Sequence, residues 1–202
     1  MTGKVWTPIG RGDISANGFQ GTFDGQGHRI TGLTITTDNS SGEAAALFDG
    51  IGGNGEVKNL QLVNVNYEVK PFGVAGGIAG SNFGNITVCS VMGTIASNGG
   101  NVGGITGSNF GTITACWFKG TITGNATGGI ANTNFGNITA CYWGGNATVG
   151  VDYNDYGGTR DPQKLGDNDS WVHAINGMNP ALTGNSYRWT LGTDGLPVLT
   201  KQ

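Results

Sequence analysis

The sequence predicts an all-β protein: a right-handed parallel β-helix of about five coils, each 25–29 residues long. A small C-terminal cap with one short helix and two strands closes it. Three observations carry this reading. The first is a repeat: GGIAGSNFGNITVCSV, GGITGSNFGTITACWF and GGIANTNFGNITACYW follow one another between Gly76 and Trp143. Ile78, Ile105 and Ile130 correspond, so the steps are 27 and 25 residues, a period that marks a repeat architecture. The second is the make-up of each unit. Short apolar runs are broken by Gly and Asn, with no helical i, i+3, i+4, i+7 spacing; Ile, Val and Thr suit pleated backbone, while Gly and Asn supply positive φ at turns. The third is unit length, which suits three short strands and three turns. Coils stacked about 4.8 Å apart make every sequence column a physical ladder, and parallel crossovers are overwhelmingly right-handed.

Taken in order, residues 1–29 form an entry segment that starts with Val5, Trp6, Pro8 and Ile9. Arg11, Gly12 and Asp13 spell the tripeptide read by integrin-type receptors, a candidate motif in what otherwise reads as a charged loop. Asp24-Gly25 and Gln26-Gly27 are tight-turn signals. The repeat core is apolar, two residues, apolar, one residue, apolar. Ile30, Leu33 and Ile35 form its first copy and Val57, Leu60 and Leu62 its second. Ile86, Cys89, Val91 follow, then Ile113, Cys116, Phe118, then Ile138, Cys141, Trp143. These columns point inward, each buried side chain stabilising the fold by roughly 1.5–3 kcal/mol. The three cysteines read as a buried ladder, since no CxxC or adjacent His supports a metal. The Asn82, Asn109, Asn134 column is expected to hydrogen-bond along the stack, with Phe83, Phe110 and Phe135 covering the same corner. Outward columns are Thr87, Thr114, Thr139 and Ser90, Trp117, Tyr142.

The period is lost at Val151. Residues 1–150 are therefore read as the repeat region with its entry segment, and 151–202 as a capping segment of the same domain. Ser170 is placed to cap a helix whose Trp171, Ala174, Ile175 and Met178 share one face, and Tyr187–Leu191 and Pro197–Leu199 read as strands around Asp194-Gly195. So much apolar surface is expected to pack across the last coil or against its side.

Composition limits function. Gly numbers 40 of 202 and charged residues are only 11%; the strict apolar register argues for a packed solenoid over low complexity. A net charge of −3 with scattered Lys and Arg speaks against nucleic acid or an anionic membrane as partner. No apolar run approaches 18 residues, so no membrane insertion is expected. The isolated domain is expected to be a monomer, and its export signal and anchor to lie outside this stretch.

The segments WTPIG, FQGTFDGQGHRITGLTI and ALFDGIGGNGEVKNLQLVNV, the later GGIAG and GGITG, and the ending WVHAINGMNP through YRWTLGTDGLPVL are together similar to GLUG-repeat bacterial surface proteins. Adhesin-like proteins and the non-catalytic region of some immunoglobulin A proteases belong to that family. The resemblance implies an exported bacterial cell-surface protein with a parallel β-helix.

Catalytic chemistry is missing from the repeats. β-Helix polysaccharide lyases and hydrolases need paired carboxylates, or a basic residue beside acids, on one strand face. Here Lys119 is nearly the only charge in the last three coils. DGQGH resembles a fragment of pectinase sequences without their downstream acids, no HExxH is present, and His28 and His173 are isolated. No catalytic residue, and no enzyme, is expected. The leading reading is a secreted or surface module that binds a host or microbial glycan or protein, with Trp117 and Tyr142 as a stacking platform flanked by Thr87, Thr114 and Thr139. The rival placement has the C-terminal segment covering the two rings. The alternatives are a passive spacer, a carbohydrate-active enzyme, or an ice-binding protein suggested by Thr34/Thr36, Thr112/Thr114 and Thr121/Thr123. No cofactor is implied beyond calcium near Asp152, Asp155, Asp167 and Asp169, a loop without EF-hand spacing.

Overall fold

Along Asn85–Ser97 the side chains of Ile86, Cys89, Val91 and Ile95 are fully buried, while those between them turn outward. That pattern, repeated coil after coil, winds the chain into a parallel β-helix with three sheets. The computed structural model describes residues 6–10, 18–37, 44–70, 73–154, 162–166 and 169–202. The long sheet stacks the strands of residues 22–37, then Glu56–Val69, Asn85–Ser97, Thr112–Thr114 with Trp117–Thr123, and Asn137–Thr139 with Tyr142–Gly145. Gln163–Lys164 adds one more level. The second sheet stacks Phe48–Ile51, Ala79–Asn82, Thr106–Asn109, Ala131–Asn134 and Val151–Asn154. The shortest sheet holds Val74–Gly76, Asn101–Gly103 and Ala126–Gly128. The sequence copies give five levels of the long sheet before the tail strand, but the end copies are incomplete and the winding amounts to about four turns.

The ladders match the columns. Ile86, Ile113 and Ile138 are in register and each is 0% exposed. Asn82 Nδ2 donates to Asn109 Oδ1 at 2.8 Å, and Asn109 Nδ2 to Asn134 Oδ1 at 2.7 Å. Cys89, Cys116 and Cys141 are buried thiols outside any disulfide; burial pushes the Cys116 thiol well up from its usual range, which keeps it protonated. Each Sγ also reaches the carbonyl two residues back, at 3.4, 3.3 and 3.3 Å.

One alignment differs. Phe23, not Ile30, pairs with Val57; Ile30 pairs with Leu62 and Ile35 with Tyr67. Phe23 to Ile30 spans seven positions where Val57 to Leu62 spans five. The turn at Gln26-Gly27 lengthens the first copy and shifts its apolar residues against the common pattern.

A further column was not foreseen. Asn59, Val88, Ala115 and Ala140 all have φ between 50 and 56°. A left-handed residue there bends each coil and turns its own side chain outward, so Val88 and Ala115 join an apolar stripe on the outside of the long sheet. Such a conformation costs L-residues roughly 1–2 kcal/mol and persists only where neighbours impose it. At Val88 and Ala115 the side chains pack against the tail.

The tail forms helix α1 (Val172–Met178), a 3-10 turn at Asn179–Ala181 and an antiparallel hairpin of Tyr187–Leu191 with Pro197–Lys201. It lies against the side of the coils, not across the open end. Trp171, Ala174, Ile175, Met178, Leu182, Trp189 and Leu196 form a second core with Val88, Ala115, Trp117 and Tyr142. Trp189 is 1% exposed and donates Nε1–H to Ala115 O at 2.9 Å. Gly177 lets the helix close on Tyr142, whose hydroxyl a Cβ would strike. Helix propensity alone makes Gly177→Ala stabilising by about 1 kcal/mol; the opposite is expected, a lower melting temperature in a thermal scan.

Inside the coils, Tyr67 stands in the Ile35, Ile95, Ile122 column, 0% exposed, with no partner for its hydroxyl among the described residues. Burial drives its phenol far above the usual range. Tyr67→Phe removes an unpaired buried polar group, so about 1 kcal/mol of added stability is expected, read as a melting-temperature rise of roughly 2–4 °C.

Candidate binding site

The tail divides the outer face of the long sheet in two. At the level of Trp117 and Tyr142 it lies flush. Trp117 is 1% and Tyr142 4% exposed, and the Trp117 ring sits 5.0 Å from that of Trp171 and 6.0 Å from that of Trp189. The two rings are in register on adjacent coils as expected, but their faces belong to the second core. Of the two placements weighed for this column, the one observed has the C-terminal segment covering both rings, which leaves no open stacking platform there.

At the level of the first coils the hairpin end and the coil face border an open cleft of about 540 Å³. On the coil side, Asp24 Oδ1 accepts from the Gln26 N–H and from Asn59 Nδ2, both at 2.9 Å. Lys58 Nζ donates to Glu56 Oε2 at 2.8 Å, both side chains about a third exposed. Asn59 is 3% exposed, with its Oδ1 buried and without a partner. On the tail side Thr183–Tyr187 and Lys201 form the opposite wall. The Tyr187 ring packs against Gly27, whose positive φ and missing Cβ permit that approach. Lys201 lies opposite Tyr187 in the hairpin, and no salt bridge to it is found among the described residues. The cleft therefore combines one half-buried ring, carboxylate and amide acceptors, hydroxyls and an ammonium group. Sugars are held by such mixtures: polar groups fix the hydroxyls and an aromatic ring covers the apolar patch of the pyranose.

The outward threonines are in register, but only Thr87 lines the cleft. Arg11, Gly12 and Asp13 lie outside the described residues, as do Asp155 and Asp167. Asp152 and Asp169 are exposed, and Asp169 Oδ2 accepts from the Gly166 N–H at 2.7 Å. Among the described residues no three His, Cys, Asp or Glu side chains are grouped to hold a metal. Thr34 and Thr121 share a column, but Asn66 and Thr94 stand between them and Glu68 lies beside them, and Thr112 and Thr114 stack in a different column. The Phe83, Phe110 and Phe135 rings stack at 4.5 and 5.0 Å, nearly parallel, and Phe110 and Phe135 remain 43% and 36% exposed.

Sequence reading missed Asp24, Glu56, Lys58, Asn59, Tyr187 and Lys201 as a group. The one available signal was the DGQGH string, which holds Asp24.

No protein-family model matches the chain. Over 91 residues it is 40% identical to a Gly-rich protein of Evansella cellulosilytica with the provisional name of membrane protein; the match covers 44% of this chain and spans only 10% of that protein. A solved structure from Bacteroides ovatus, provisionally designated an immunoglobulin A1 protease, aligns with a TM-score of 0.51 at 16% identity, over 98% of this chain and 82% of that one. At that identity the likeness is one of fold. Among the described residues no helix is long and apolar enough to cross a membrane.

Proposed function

We propose that this chain is a non-catalytic binding module of an exported bacterial surface protein, and that its ligand is a saccharide held in the cleft between the coil face and the C-terminal hairpin. The observation that carries the reading is the cleft itself, with the Tyr187 ring on one wall and the acceptors Asp24, Glu56 and Asn59 on the other. The resemblance to GLUG-repeat proteins supports a surface role, as does the local similarity to a much longer Gly-rich protein named as a membrane protein. Binding is favoured over cleavage because the carboxylates are already engaged: Asp24 holds the turn at Gln26 and the Asn59 amide, and Glu56 holds Lys58.

A glycan panel on the folded domain tests this, with Tyr187→Ala as the control. The expected result is micromolar to millimolar binding to a subset of saccharides, lost by tenfold or more in the variant, since ring stacking is worth about 0.5–1.5 kcal/mol beyond the area it buries. No release of reducing or unsaturated ends from pectin or other uronic-acid polymers, and no cleavage of immunoglobulin A, is expected. Turnover abolished by Asp24→Asn overturns the non-catalytic reading.

A further inference from the structure

Resting on the saccharide reading of the cleft, we infer that the ligand is acidic: a sugar whose carboxylate pairs with Lys201 while its ring lies against Tyr187 and its hydroxyls meet Asp24 and Glu56.

Four ionised groups line the cleft. Glu56 and Lys58 neutralise each other at 2.8 Å. The Asp24 carboxylate is directed by the Gln26 N–H and the Asn59 amide. Lys201 alone among these ions has no partner in the described residues. It projects from the strand opposite Tyr187, the pair being directly matched in the hairpin, so cation and ring address the same end of the cleft. A neutral sugar leaves that ammonium unpaired. A uronic-type carboxylate meets it while the ring stacks beside it, a charge-assisted contact stronger than a neutral one. The carboxylates at the other end set the orientation: Asp24 and Glu56 suit hydroxyl donors and repel a second carboxylate. The expected ligand is therefore charged at one end and polyhydroxylic at the other.

The test compares acids with their methyl esters, which keep shape and remove charge. Trigalacturonate, a hyaluronan tetrasaccharide and 3'-sialyllactose are titrated calorimetrically with their esters into the full chain, into Lys201→Met, which keeps the apolar stem, and into Tyr187→Ala. For at least one pair the acid is expected to bind about three- to fivefold more tightly than its ester, the scale of a partly exposed ion pair. The ratio falls to about one in Lys201→Met and shrinks in high salt. Tyr187→Ala weakens acid and ester alike. Equal binding of acid and ester to the unaltered chain, or a preference that survives Lys201→Met, overturns the inference and leaves the saccharide cleft standing. Loss of preference without loss of ester binding separates Lys201 from any general damage to the fold. Absence of binding by every acid, ester and neutral sugar overturns both readings together.

Discussion

Ile113→Asp is expected to leave the domain unfolded at room temperature. Ile113 is 0% exposed at the centre of the long sheet, in register with Ile86 and Ile138 above and below. The change removes roughly 1.5–3 kcal/mol of apolar burial and adds an unpaired buried charge, with an effective penalty of several kcal/mol. Together these approach the whole stability of about 5–15 kcal/mol typical of a domain. Because the column is continuous, neighbouring coils cannot close over the defect without losing their own register. Circular dichroism and a thermal scan read the outcome: no cooperative transition is expected. A melt near that of the unaltered chain contradicts the assigned register.

Deleting residues 160–202 is expected to yield a self-associating or insoluble protein. An open coil end is one hazard, but the larger one is the flank. Removing the tail uncovers Val88, Ala115, Trp117 and Tyr142 as one apolar stripe, and the loss of Gln163–Lys164 leaves the strand Tyr142–Gly145 as an open edge. A milder version of the same test is Trp189→Ala, which empties a site 1% exposed and leaves the Ala115 carbonyl without its indole donor. Large aromatic truncations of this kind cost about 3–5 kcal/mol. Size-exclusion chromatography and melting decide both. A monomeric truncated chain with an unchanged melting temperature shows the tail to be an appendage.

Periodicity made the coils legible. Columns such as Ile86, Ile113, Ile138 and Asn82, Asn109, Asn134 repeat because stacking puts identical residues in identical surroundings, so sequence spacing translates directly into contact. The helix at Val172–Met178 and the strands around Asp194-Gly195 were legible from local pattern. What resisted reading was whatever depends on the non-periodic tail meeting the periodic coils. Trp117 and Tyr142 alternate outward and so look exposed; only the docked helix and hairpin bury them. The bend residues Val88 and Ala115 gave no warning, since neither type favours positive φ, and the conformation is imposed by packing on both sides. The first copy misled because two extra turn residues displace Ile30 from the column its spacing suggests. The cleft was invisible for the same reason as the buried rings: Asp24 and Tyr187 are far apart in sequence and belong to segments with no common pattern.

Whether the cleft is where a ligand binds is tested most directly by amide chemical-shift mapping during a saccharide titration. The prediction is a cluster of shifts at Gln26, Lys58, Asn59, Thr87, Ser186, Tyr187 and Lys201, all of which line the cleft, with Phe110, Phe135 and the Trp117 level unchanged. Shifts centred on the Phe83, Phe110, Phe135 corner, with the cleft residues silent, contradict it.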